Sequence, residues 1–234
     1  MGETGYTECA ATEEIKGAFL CQSYTQEGMN AALARTGAFV EGLDGIKPRT
    51  LVTHDNHDIQ LSFRRIGGHD YVGKDLKAFF DFITNECAKA TDKKNVCLSP
   101  AEEEFYHDFI LPQLRINPDF VVITFAARSN MAWDDVVTHE IMHAQYFLQE
   151  KFRSAVDAFW ENDVSASDKT KIQKLLNAIG YAVYVDPLLL KNEFQAYILM
   201  EGAESSHLSR WVDAMRPALL AKLKAAGAVP VQVH

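Results

Sequence analysis

Two histidines four residues apart, His139 and His143, with Glu140 beside the first, are the residues of this 234-residue chain best suited to chemistry. On an α-helix, side chains at i and i+4 leave the same face one turn apart, so both imidazoles can grip a single ion. Glu140 lies too far round the helix to join the same tetrahedron comfortably, but it can reach a water in the ion's open position. Neutral imidazoles suit Zn²⁺, which stays electrophilic and draws the pKa of a bound water down toward ~7. A carboxylate at position 140 then collects the proton as that water attacks a peptide carbonyl, and passes it to the leaving amine. Two histidines and a flanking glutamate in this order form the metallopeptidase pattern.

The pattern needs a helix, and its surroundings supply one. Trp133, Val136, Val137, Ala144, Phe147 and Leu148 give the segment an apolar face, with Asp134 or Asp135 at its start. Phe120-Val121-Val122-Ile123-Thr124-Phe125, β-branched and aromatic, is the clearest strand and precedes that helix. Further helices are expected over 168–179, 187–203 and 207–225, the last closed by Gly227 and Pro230.

Before residue 120, spacing of Ile15, Phe19, Cys21, Tyr24, Met29 and Leu33 predicts a helix over 12–36, with Gly37 as its stop. A Gly-rich turn over Gly42 to Pro48, short strands at Leu51–Thr53 and Ile59–Phe63, and a turn at Gly67-Gly68 follow. Residues 75–90 read as a helix with Leu76, Phe79, Phe80 and Ile83 on one side. Ser99-Pro100-Ala101-Glu102 forms a capping box opening a helix that ends near Pro112. The expected class is α+β: a small mixed sheet, an active-site helix and a mainly helical C-terminal half. The length fits one domain, 1–234, either undivided or built as two lobes of about 1–150 and 151–234.

Thr138-His139-Glu140-Ile141-Met142-His143, placed after a strand and before later helices, resembles the zincin superfamily of metallopeptidases over roughly residues 119–207. Tyr146 and Gln149 stand where the metzincin branch needs Gly and His, and the inverted His-x-x-Glu-His order is absent. The gluzincin branch takes its third ligand from a later helix, often within Asn-Glu-x-x-(Ser/Ala)-Asp, and Asn192-Glu193-Phe194-Gln195-Ala196-Tyr197 looks like that segment. The resemblance thus implies a zincin-like fold and Zn²⁺ held by His139, His143 and Glu193. Tyr197 occupies the place of an Asp that orients the first His ligand in thermolysin-like proteins, which makes any thermolysin relationship distant. The resemblance also implies that the strand at 120–126 offers a free edge to an extended peptide.

Glu193 has a case of its own. It sits among Leu188, Leu189, Leu190, Phe194, Ile198 and Leu199, where an unpaired carboxylate is costly to bury and a metal would resolve the cost. The competing reading is an exposed glutamate on a polar stripe with Lys191 and Gln195. Glu201, Glu204 and His207 are the next ligand candidates, then Asp186. Zincins commonly place a Tyr or His donor against the developing oxyanion, and Tyr181, Tyr184, Tyr197 and His207 are candidates. Tyr197, one turn after Glu193, leads. His54-Asp55-Asn56-His57-Asp58 reads either as a second ion site or as a polar turn between strands.

A net charge of -9 disfavours nucleic acid or an anionic membrane as partner, and no apolar run approaches the ~20 residues of a membrane span. No nucleophile elbow, P-loop or dinucleotide fingerprint competes. Four cysteines without CxxC spacing allow two disulfides in three connectivities; Cys9 with Cys21 and Cys87 with Cys97 close the shortest loops. With a start, Met1 to Gly5, that lacks signal-peptide character, this predicts an extracellular or periplasmic protein after signal removal. The leading expectation is a zinc peptidase acting on a peptide or protein, with Glu140, Tyr197 and His207 as catalytic candidates. The alternatives are a zinc hydrolase of a non-peptide amide and an inactive zincin-fold binding module. Oligomeric state is not encoded in any of these signals.

Overall fold

The computed structural model describes residues 6–42, 46–56, 68–128, 133–184, 186–200 and 207–231. The chain separates into two compact units, 1–131 and 132–234. The class is α+β, with a four-stranded mixed sheet confined to the first unit.

Strands β1 (Tyr6–Ala11) and β2 (Ala18–Thr25) form an antiparallel hairpin in which Cys9 stands directly opposite Cys21. The two are joined by a disulfide. This corrects the helix expected from residue 12. The apolar residues 15 to 24 fit a helical spacing by coincidence, because a short strand that buries Cys21 and Ser23 alternates over too few positions to announce itself. Helix α1 (Gln26–Val40) begins only after β2, with Thr25 capping the Gly28 N–H at 3.1 Å, and it runs through the buried Gly37 rather than ending there.

Strand β3 (Gly68–Val72) leads straight into α2 (Gly73–Lys89). Gly73 has no substitute at this junction. A Cβ there would lie 2.5 Å from the Phe120 ring and 2.6 Å from the Pro118 carbonyl oxygen. Leu76, Phe79, Phe80 and Ile83 of α2 are buried as their spacing predicts. Leu51–Thr53 is not a strand; it is loop, with Val52 buried against Ala38. The strand expected at Ile59–Phe63 lies outside the described residues.

Ser99 and Glu102 form the capping box that the sequence announces, at the start of α3. This helix comprises Pro100–Phe105, a π-helical stretch Tyr106–Ile110, and Leu111–Ile116. It passes the expected end at Pro112 because the ladder is already widened there: the Leu111 N–H donates to the Tyr106 carbonyl. Glu102 also takes a bidentate ion pair from Arg35, at 2.9 and 2.7 Å, with both side chains buried. The remaining Arg35 donors reach the carbonyls of Val96 at 2.9 Å and Cys97 at 3.1 Å, next to the Cys87–Cys97 disulfide.

Strand β4 (Val121–Arg128) pairs parallel with β2 and antiparallel with β3, giving the order β1-β2-β4-β3. Both edges of β4 are therefore occupied, and the expected free edge for a peptide is overturned. Gly68, read as part of a turn, instead begins the strand that covers it.

The second unit is helical in its described residues: α4 (Trp133–Leu148), α5 (Glu150–Asn162), α6 (Ala166–Ala178), α7 (Pro187–Leu199) and α8 (Ser209–Ala225). The sequence suggests a division near residue 150; contacts divide the chain between residues 131 and 132, so α4 belongs to the second unit, where it packs on α5 and α7. Helix α5 goes beyond the helices that the sequence predicts, and Phe152, Ala155, Val156, Phe159 and Trp160 bury one face of it. Helix α7 touches α4, α5, α6 and α8 and is buried almost all round. Helix α8 closes at Gly227, whose φ of 67° is costly for a residue with a Cβ. No helix among the described residues is long and apolar enough to cross a membrane. The two disulfides account for all four cysteines and fit an oxidising environment.

Candidate metal centre

Helix α4 carries Thr138, His139, Glu140 and His143, all buried. One helical turn brings the His139 and His143 rings to a centroid separation of 4.7 Å, nearly perpendicular at 83°. Glu193, from the middle of α7, completes the group. Its Oε2 lies 3.5 Å from His139 Nε2 and its Oε1 lies 3.7 Å from His143 Nε2. A tetrahedral zinc site with bonds near 2.0–2.1 Å has ligand-to-ligand edges of about 3.3–3.4 Å, so small side-chain adjustments bring these atoms onto one ion.

The surroundings favour a cation. Glu193 is 4% exposed, and burial pushes its carboxyl above the ordinary range, opposed by the nearby His143 and by a hydrogen bond from Tyr181. Among the described residues its Oε2 accepts no hydrogen bond. A buried carboxylate oxygen in that position is costly unless a cation satisfies it. The exposed polar stripe expected as the alternative does not form: Gln195 is fully buried, and Lys191 is turned to Asp157 and Glu161 at 3.4 and 3.3 Å. Two imidazoles and one carboxylate form a donor set that could hold a metal ion.

Glu140 is 7% exposed, and a carboxylate oxygen of it lies within 4.8 Å of a His143 ring nitrogen. That is close enough to share a water bound at the site.

The remaining candidates divide clearly. Tyr197 sets its ring edge-to-face against His139, centroids 4.6 Å apart, in the place expected of an orienting Asp. Its hydroxyl is 3.2 Å from that of Tyr181. Burial, with Glu193 adding to it, holds both phenols well above their usual pKa, so each keeps its proton and can donate. His207 is exposed, its ring 5.9 Å from that of Tyr197. Tyr184 is 54% exposed. Asp186 caps α7 by accepting from the Leu188 and Leu189 N–H groups, which explains it without a metal. Glu201 and Glu204 lie outside the described residues.

His54 binds the Cys97 carbonyl through Nε2 at 2.8 Å, and Thr53 donates to Asp55 at 2.6 Å. His54 and Asp55 lie in a turn within loop; His57 and Asp58 lie outside the described residues.

Sequence reasoning missed the groups that hold α4 in place. Gln145, 1% exposed, donates to the Val229 carbonyl at 3.1 Å and accepts from the Val231 N–H at 2.8 Å. Arg153 reaches the Phe147 carbonyl at the C-terminal end of α4 at 3.1 Å, favourable for the helix dipole. No local pattern marks these long-range partners. Comparison of the chain with protein families, curated proteins and solved structures found no match.

Proposed function

We propose that this chain is a zinc-dependent peptidase of gluzincin type, with His139, His143 and Glu193 as ligands and Glu140 as general base. The observation that carries the reading is the convergence of three buried side chains from two helices, with the Glu193 oxygens 3.5 and 3.7 Å from the two imidazole nitrogens, beside a buried glutamate. Zinc in this position supplies Lewis acidity toward a carbonyl oxygen and lowers the pKa of a water.

The chain's own side chains do the rest. Glu140 takes the proton of the attacking water and delivers it to the leaving nitrogen. Its burial strengthens that exchange, since little bulk water competes for the carboxylate. Tyr197 keeps its hydroxyl proton at neutral pH and donates to the oxygen on which negative charge develops. Tyr181 orients that hydroxyl and the Glu193 carboxylate together. His207, exposed and with its ring 5.9 Å from that of Tyr197, is the second candidate donor. Two disulfides favour secretion or a periplasmic location for such an enzyme.

The test is zinc content together with cleavage of an unstructured protein. Wild-type protein is expected to hold one zinc per chain and to cleave; Glu140→Gln should keep the zinc and lose cleavage by 10²-fold or more. Full activity in Glu140→Gln would refute the mechanism. Zinc without cleavage of any peptide, but with turnover of a non-peptide amide, would move the substrate class while leaving the chemistry.

A further inference from the structure

We infer that Asp157, on α5, is a positioning residue that fixes the separation of the two metal-binding helices. The inference rests on the metal site proposed above. Asp157 Oδ1 accepts from the Tyr146 hydroxyl at 2.7 Å and stands 3.4 Å from Lys191 Nζ. Tyr146 belongs to α4 three residues after His143, and Lys191 belongs to α7 two residues before Glu193. One carboxylate oxygen thus ties the helix of the two histidines to the helix of the glutamate.

The Tyr146 anchor is the rigid half. Its side chain is fully buried. Burial first, and the Asp157 hydrogen bond next, hold its phenol protonated, so it donates to Asp157 at every physiological pH. The Lys191 anchor is more open, its side chain 22% exposed, and is doubled by Glu161 at 3.3 Å. An exposed ion pair adds little to stability by itself. Its value here is geometric: metal bonds tolerate only about ±0.2 Å, so a small slide of α7 along α4 withdraws Glu193 from the two imidazoles. Outer groups that fix ligand orientation typically change metal affinity by 10–100-fold.

Asp157→Asn keeps the shape and removes the charge; Lys191→Met cuts the α7 anchor at a partly exposed site that leaves the core intact. Zinc dissociation constants are measured by competition with a chromophoric chelator, alongside the visible absorption of the cobalt(II)-substituted protein and the thermal midpoint of the metal-free protein. Asp157→Asn is expected to bind zinc 10–100-fold more weakly and Lys191→Met 3–10-fold more weakly, each with a weaker, shifted cobalt spectrum. A lower midpoint with affinity within twofold of wild type and an unchanged spectrum would make Asp157 merely structural and overturn the inference. If Asp157→Asn does not fold, Lys191→Met decides alone by the same criteria. Wild-type protein that binds neither metal would remove the metal site itself, and this inference with it.

Discussion

His143 Nε2 and Glu193 Oε1 meet at 3.7 Å although they stand on different helices, and both side chains are buried. A glutamate whose carboxyl is raised by burial, facing two imidazoles, is poorly stabilised by neutral protein alone. The relationship makes sense when a cation lies between the three groups. The proposed ion would also account for a carboxylate on the buried side of α7, among Leu189, Leu190, Phe194 and Ile198.

Replacing Glu193 tests this directly. Glu193→Ala should lower zinc affinity by 100-fold or more, because a ligand and its negative charge are lost together. Metal-free Glu193→Ala should be about as stable as wild type, since a buried carboxyl with one unsatisfied oxygen has gone. Glu201→Ala and Glu204→Ala should leave zinc affinity unchanged. Affinity lost in either of those variants and kept in Glu193→Ala would reassign the third ligand.

The two tyrosines should separate in kinetics. Tyr197→Phe should reduce kcat by 10²–10³-fold with zinc content intact, as expected for a donor used mainly in the transition state. Tyr181→Phe removes the 3.2 Å contact to Tyr197 and the bond to Glu193, so it should lower both kcat and zinc affinity. Equal, small effects in both variants would show packing roles only.

Acid should destabilise the first unit through His69. This residue is 4% exposed, its Nδ1 is 2.9 Å from the Tyr71 hydroxyl, and burial lowers its pKa from 6.5 to about 3. The folded state therefore keeps the ring neutral while the unfolded chain takes up a proton below about pH 6.5. The unfolded state binds more protons in that window, so stability is full above pH 6.5 and falls as pH drops toward 3. A depression of this size corresponds to about 5 kcal/mol over the whole window. Urea midpoints against pH should show this fall in wild type and a flatter profile in His69→Gln. Identical profiles would exclude His69 as the source.

The fold should tolerate loss of the Cys87–Cys97 disulfide at a cost in stability. A thiol count on the unreduced, denatured protein is expected to find none free. Replacing Cys87 and Cys97 by Ser should cost about 2–3 kcal/mol by freeing a short loop in the unfolded chain. The Arg35–Glu102 pair and its bonds to the Val96 and Cys97 carbonyls should hold the native loop in place, so the variant should still fold. Four reactive thiols in the native protein would refute the pairing and the oxidising location.

Local physics made part of this molecule readable in one dimension. The spacing of His139 and His143 on an apolar-faced helix, the capping box of Ser99 and Glu102, the face of Leu76, Phe79, Phe80 and Ile83, and the two short cysteine loops all depend on contacts within about a dozen residues. Pairing between distant segments had no such signature. The strand from Ala18 to Thr25 was indistinguishable from helix until Tyr6–Ala11 and β4 paired with it, and Gly68 read as turn until it joined a strand on β4. The burial of Glu193, the contact of Tyr181 with Tyr197, and the hold of Asp157 on two helices likewise arise only when separate helices pack. Chain order encodes which residues can do chemistry. The long-range packing of α4, α5 and α7 decides which of them meet, because side chains on different helices share no periodicity that spacing could reveal.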